Sequence, residues 1–396
     1  MLGLLGLILG FLFGCLTGLI PGLHVNLIAT LIFAIYSLPL ELIVSMAISM
    51  GITHSFVSAI PSIFLGAPEE STVLAALPGH KMLLKGEGYF AAKLTAIGSL
   101  AALLLGALLM PFFIFSFPIL YSKIKKFLWL ILILIVFLLI LKEQGIRKIL
   151  AILVFISSGL LGILTLNKLK EPLLPMLSGL FGVATIIYAL AQKSKLPIQR
   201  NKGFYLNKKE TIISTLVAIF SGGIITLFPS LGPSQAAALS RIFLTKFSDK
   251  GYLIAIGGIS TADFLISLAT LFAIGKARNG IAVAIQRLVE SFTLSDLIFM
   301  LLIAIAAGVL AFFATLFLSK LFAKFISKIN YKIINAATII FIFALVFAVT
   351  GFVGILVLIA STLIGLLPIV FNCNRSHAMG CLILPTIIFY FKASFF

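Results

Sequence analysis

Apolar stretches fill most of the chain and are cut by short polar breaks. They run at about 2–20, 25–40, 42–65, 90–120, 127–141, 149–166 and 173–191, and again at 211–228, 235–247, 252–274, 297–319, 333–349, 353–371 and 379–391. A bilayer crossing takes about 20 such residues as helix. A 13-residue run reaches only about 20 Å against about 30 Å of hydrocarbon. The shorter runs are therefore expected as half-helices or re-entrant segments. The pattern predicts an all-α polytopic membrane protein with about 12 transmembrane helices, in a range of roughly 10 to 14.

Composition removes the alternatives. Of 396 residues, 62% are hydrophobic and 10% charged, and the mean hydropathy is +1.26. A soluble domain is about 25% charged, and a disordered chain lacks this hydrophobicity. The net charge is +18, but the basic residues sit between apolar runs, as in Lys123, Lys125 and Lys126 or Lys320, Lys324 and Lys328. Retention on the cytoplasmic side and contact with anionic lipid explain that placement. No basic stripe is interleaved with aromatics, so nucleic acid is not an expected partner. Cys15, Cys373 and Cys381 form no disulfide framework, and no pair of cysteines has zinc-ligand spacing. No metal site is expected. Lys81 is the first basic side chain, so 2–20 lacks a signal peptide's basic start and is expected to stay as a first span. The expected location is the cell membrane, crossed many times.

A polar stretch, QKSKLPIQRNKGFYLNKKE at 192–210, divides the chain almost in half. It is expected to be a basic cytoplasmic linker between a membrane repeat at 1–191 and a second at 211–396. Shifting the sequence by 208 positions aligns the halves without gaps: Gly14 falls on Gly222, Pro21 on Pro229, Leu23 on Leu231, Thr53 on Thr261, Phe56 on Phe264, and Glu41 on Asp249. Two pseudo-symmetric repeats with a site at their interface are a common plan for secondary carriers. Whether the repeats are parallel or inverted is left open by the pattern.

The strongest duplicated feature is a proline break. GCLTGLIPGLHVN at 14–26 and GGIITLFPSLGPS at 222–234 each read as Gly-rich helix, break, then new helix. Proline removes a backbone donor and disturbs the preceding turn. Such backbone survives at membrane depth only against protein or a water-filled cavity. New helices starting near Val25 and Ser234 would present N–H groups with partial positive charge, suited to a carboxylate. The candidate substrate-binding residues are Pro21, Gly22, Leu23, His24 and Asn26 in the first break, and Pro229, Ser230, Gly232 and Ser234 in the second. The plain alternative is a pair of tight turns.

Polar residues inside apolar runs form a second set. Asp263 lies mid-run beside Ser260 and Thr261, and the stretch 208 residues earlier holds Thr53, His54 and Ser55. An intramembrane ionisable group is costly unless it works or is paired. Hydroxyl and carboxylate oxygens suit Na⁺, and a carboxylate or imidazole can carry H⁺. These six are the candidate coupling-ion residues, and no cofactor beyond that ion is expected. Ser71 and Thr72, and Lys276, Arg278 and Asn279 in GKARNG at 275–280, are possible anion-contacting loop residues. Arg287 and Glu290 read as a helix-surface pair. Gly3, Gly6, Gly10, Gly14 and Gly18 form a small-residue face for close helix packing. Nothing matches HExxH, GxSxG or a P-loop, so the chain is not expected to be an enzyme or to use ATP directly.

TGLIPGL at 17–23, with GAPEESTVLAALPGHKMLLKGEG at 66–88, resembles the large membrane subunit of the tripartite tricarboxylate transporters. The second break looks like that family's second copy. The sequence departs from the family pattern at His24 and at GKARNG. The resemblance implies a permease for an organic anion, a di- or tricarboxylate, driven by a sodium or proton gradient. It also implies partners: a small membrane subunit and an extracytoplasmic solute-binding protein. The alternative from another class is a membrane-embedded enzyme or flippase acting on a lipid-linked anion, held by the basic loops.

Overall fold

The computed structural model describes residues 1–20, 38–65, 73–166, 168–169, 171–191, 197–199, 206–228, 231–240, 248–277, 279–289, 292–325 and 331–395; most of these residues are helical and none is in a strand. In chain order the helices are α1 Leu2–Leu19, α2 Leu40–Val57, α3 Ala59–Phe64, α4 Val73–Leu84, α5 Gly88–Leu108, α6 Met110–Ile124, α7 Leu128–Leu141 and α8 Arg147–Thr165. Next come α9 Leu173–Leu177, a π-helical turn Ser178–Val183, and α10 Ala184–Ala191. The second half holds α11 Lys208–Ile225, α12 Pro233–Ser240, α13 Asp249–Ile274, α14 Gly280–Leu288, α15 Leu294–Phe325, α16 Tyr331–Val370 and α17 Gly380–Phe395. Gly351 breaks α16 with non-helical angles, and a 3₁₀ turn, Arg375–Met379, precedes α17.

Local chemistry sets several ends. Asn207 caps α11 through the N–H groups of Lys209 and Glu210, so the helix begins inside the basic stretch. Ser248 caps α13, which stops at Gly275 in the left-handed region (φ 66°). There an L side chain would be strained. Within 197–199, the Gln199 amide accepts from the Gly88 N–H (2.9 Å) and donates to the Leu83 carbonyl (3.2 Å), tying this part of the linker to the α4–α5 turn.

The glycine face of α1 packs as its spacing predicts. Gly3, Gly6, Gly10, Gly14 and Gly18 lie in order against Glu41, Ser45, Ser49, Thr53 and Val57 of α2. Both numbers rise together, so α1 and α2 run parallel, and Ile20 and Leu38 stand at opposite ends of the pair. In the second half Glu210 accepts from the Ser248 N–H and hydroxyl, while Gly222 abuts Ile259 and Ala262. Thus α11 and α13 are also parallel. Helix α5 runs parallel to α13: a methyl group on Gly98 would overlap the Ile254 carbonyl, one on Gly257 the Thr95 carbonyl, and Gly106 meets Leu265. Helix α15 runs parallel to α2 and α3, from Phe299 at Gly3 to Phe322 on Phe64. Finally, α2 and α13 cross antiparallel, with Gly51 at Phe264 and Ser55 at Thr261. So α1, α2 and α15 point one way, and α5, α11 and α13 the other.

Nine segments among the described residues are long and apolar enough to span a bilayer. The expected figure was about 12. Two reasons for the difference are visible. Helix α11 opens with Lys208, Lys209 and Glu210, which lowers its hydropathy, and residues 21–37 lie outside the described set. The chain is a multi-pass membrane protein.

Candidate functional site

The centre of the molecule is the crossing of α2 and α13, two helices almost wholly enclosed by other helices. Ser55 donates to the Ile52 carbonyl (2.8 Å), and its hydroxyl oxygen lies 3.1 Å from that of Thr261. Thr261 has one proton and a longer contact to the Gly257 carbonyl, 3.4 Å. The geometry therefore favours Thr261 donating to Ser55 across the crossing. The structure brings the two sequence-predicted polar patches together here.

On the far side of α2, Thr17 donates to the Gly14 carbonyl (3.2 Å), and His54 Nδ1 lies 3.1 Å from the Thr17 oxygen. Which of the two donates in that contact is set by the His54 tautomer. Thr53, pressed against Gly14, is buried with no partner for its hydroxyl. Ser58, just beyond α2, shares that condition. A buried hydroxyl without a partner loses about 1–3 kcal/mol, so each marks a place where a bound species could be coordinated. Ser260 is buried and contacts the Ile256 carbonyl at 3.5 Å, while Asp263 is partly buried beside Gly222.

The short helix α14 aims its N-terminus at this crossing. Ile281 lies against Gly51, and Asn279 bonds to Ser267 and, at 3.5 Å, to the Phe264 carbonyl. The Asn279 side-chain oxygen also caps α14 through the Ala282 N–H (2.7 Å). Lys276 turns away: its ammonium donates to the Tyr121 hydroxyl (2.9 Å) at the end of α6. Arg278, Ser71, Thr72 and Glu290 lie outside the described residues.

At the second break, α11 ends at Ile225 and α12 restarts at Pro233. Pro21, Gly22, Leu23, His24, Asn26, Pro229 and Ser230 lie outside the described residues, but Gly232 and Ser234 are within them. The restart has fewer open N–H groups than the sequence suggests. Pro233 has none, and those of Gln235 and Ala236 both reach the Gly232 carbonyl (3.1 and 3.3 Å). Instead, Gln235 provides a donor. Its side-chain oxygen accepts from Gly232 N–H (2.9 Å) and the Ser234 hydroxyl (3.1 Å), while its Nε2 is buried with no partner. Helix α12 packs on the 3₁₀ turn that carries Arg375. The guanidinium bonds to the Phe181 carbonyl and Thr185, and its Nε also lacks a partner.

Sequence reasoning missed Gln235 and Arg375. Gln235 stands one residue past the quoted break, and Arg375 is a lone cation between two apolar runs, a signal that was there to use. A separate groove lined by Phe11, Cys15, Leu19, Phe317 and Leu318 lies between α1 and α15. It is apolar and holds none of these polar groups, so its chemistry does not suit an anion.

Comparison with known proteins now adds to this geometry. Residues 4–380 match the model of the tripartite tricarboxylate transporter TctA family. The chain is 32% identical over 354 residues to the uncharacterized protein MJ1079 of Methanocaldococcus jannaschii, covering 86% of this chain and 87% of that protein. No solved structure matches.

Proposed function

The chain belongs to the tripartite tricarboxylate transporter TctA family, and from that premise we propose that it is a secondary carrier for an organic anion, a di- or tricarboxylate, coupled to Na⁺ or H⁺. The family assigns a transporter role in the cell membrane. The substrate, the ion and the residues that hold them are our reading.

The observation that carries it is the enclosed antiparallel crossing of α2 and α13, where Ser55 meets Thr261, on two helices that also carry Thr53, Ser260 and Asp263. Oxygen ligands suit Na⁺, and the Asp263 carboxylate suits a proton. The carboxylate substrate sits nearer the breaks, where Gln235 Nε2 and the Arg375 guanidinium supply donors and charge.

We read the architecture as two inverted repeats. Shifting α1 by 208 puts it at 210–227, against Lys208–Ile225 for α11. The same shift puts Leu40–Phe64 at 248–272, against Asp249–Ile274, and Gly88–Leu108 at 296–316, within Leu294–Phe325. Helix directions support inversion, since α1 and α2 oppose α11 and α13. A carrier of this plan alternates access by rocking one bundle against the other around a central site. The family's small membrane subunit and solute-binding protein would deliver the anion.

The test is uptake into proteoliposomes with Asp263→Asn. Di- and tricarboxylates are screened first under imposed Na⁺ and pH gradients. We expect the variant to fold, to bind the anion and to lose gradient-driven accumulation by at least about tenfold, a loss of roughly 1.4 kcal/mol in coupling. Unchanged ion dependence would remove Asp263 from the mechanism.

A further inference from the structure

A second cluster of chemistry-bearing side chains lies away from the crossing. Glu143 sits in the turn between α7 and α8, while Cys373 precedes and His377 lies within the 3₁₀ turn between α16 and α17. Their potential ligand atoms all lie within 4.8 Å of one another. We propose that Glu143, Cys373 and His377 form a three-ligand site for a divalent transition-metal ion of the zinc type, clasping the α7–α8 hairpin to the α16–α17 turn.

The spacing carries the argument. Zinc binds thiolate at about 2.3 Å, imidazole at about 2.0–2.1 Å and carboxylate at about 2.0–2.2 Å. Around a tetrahedral centre those bonds put sulfur and oxygen about 3.5 Å apart, and nitrogen and oxygen about 3.3 Å apart. The observed separations are 3.5 Å from Cys373 Sγ to Glu143 Oε1, and 3.2 Å from His377 Nε2 to the same oxygen.

Hydrogen bonding alone accounts poorly for the arrangement. The Asn374 N–H (2.8 Å), the thiol and the imidazole all converge on Glu143 Oε1. One carboxylate oxygen has about two lone pairs for these three donors, and the thiol's other acceptor, the Arg147 carbonyl, lies farther off at 3.9 Å. A cation that took the place of the thiol and imidazole protons would leave one lone pair for the metal and one for Asn374. That N–H would then orient the ligating carboxylate from outside the coordination shell.

The backbone is already shaped for this. Asn372 holds the left-handed conformation (φ 53°), the Cys373 N–H bonds to the Pro368 carbonyl (2.9 Å), and the Asn374 side chain caps Ser376 N–H (3.1 Å). Cys373 and His377 are buried. Zinc-type ions bind cysteine as thiolate, so binding would release the Cys373 proton. Sulfur and imidazole select zinc-like ions over Na⁺, Mg²⁺ or Ca²⁺, which separates this site from the coupling ion. The sequence reading weighed cysteines only in pairs and so missed a Cys-x₃-His whose third ligand lies 230 residues earlier in the chain.

The full-length untagged protein, stripped with chelator in detergent, should be titrated with Co²⁺ alone. We expect saturation at one ion per chain. A thiolate-to-cobalt charge-transfer band and strong four-coordinate visible bands should appear, all bleached by Zn²⁺. Zn²⁺ should also raise the unfolding temperature. Cys373→Ser should abolish the charge-transfer band, His377→Ala should weaken Co²⁺ binding by at least about tenfold, and Cys15→Ser should leave the spectrum intact. A wild-type protein without the thiolate band overturns the site even if every variant misfolds. So does a band that survives Cys373→Ser.

Discussion

The enclosed helices and the lipid-facing ones obey opposite rules of composition. The most apolar windows of the α2–α3 segment and of α13 have mean hydropathies of 1.6 and 1.7 and are 100% and 94% buried in protein. The α6–α7 segment and α15 reach 2.8 and 2.9, with only 17% and 33% buried. In water the most apolar helix would be the most enclosed. Lipid is as apolar as leucine, so that driving force is missing between helices here. The enclosed pair is instead held by close backbone approach and by hydroxyl bonds. It is also where a hydroxyl without a partner, such as Thr53, or a carboxylate, such as Asp263, can be kept from hydrocarbon.

Substitutions that contrast the two regions test this. The largest effect is expected from Gly98→Leu, whose side chain would drive into the Ile254 carbonyl. A loss of about 3 kcal/mol or more, or failure to accumulate folded protein, should show in thermal unfolding in detergent. Leu134→Ala, on an exposed position of α7, should stay within about 0.5 kcal/mol. Equal losses at the two positions would break the comparison. Asn279→Ala removes the α14 cap and the tie to Ser267 and should cost about 1–2 kcal/mol. Its uptake should fall further than stability explains, because α14 would no longer be aimed at the crossing. Thr261→Val keeps the shape but removes the contact to Ser55. We expect a loss of about 1 kcal/mol together with weaker ion dependence of uptake, read in the same proteoliposome assay as Asp263→Asn.

Much of this was legible before any helix was placed. The small-residue face of α1 follows from spacing alone, since glycines at three- and four-residue intervals can only line one side of a helix. The polar patches at 53–55 and 260–263 stand out because charge and hydroxyls are rare in such runs. Their meeting was not legible, because it depends on the register between helices more than 200 residues apart, and sequence spacing carries no record of register. The same limit hid Gln235, which matters through an unpartnered Nε2. It hid as well the gathering of Glu143, Cys373 and His377, drawn from two turns far apart in the chain.

The amino-acid sequence by itself determined that this chain lives in a bilayer, that one face of α1 is lined by small residues, and where polar groups interrupt the apolar runs. Those features are local: hydropathy and residue spacing act within a few turns of one segment. Only the tertiary structure decided that α2 and α13 run antiparallel at the centre, that Ser55 faces Thr261, and that α14 points its first turn at them. Close approach at glycines such as Gly98 and Gly257 sets those relations, because backbones that touch without side chains between them leave one depth and one direction in which the neighbouring helices fit.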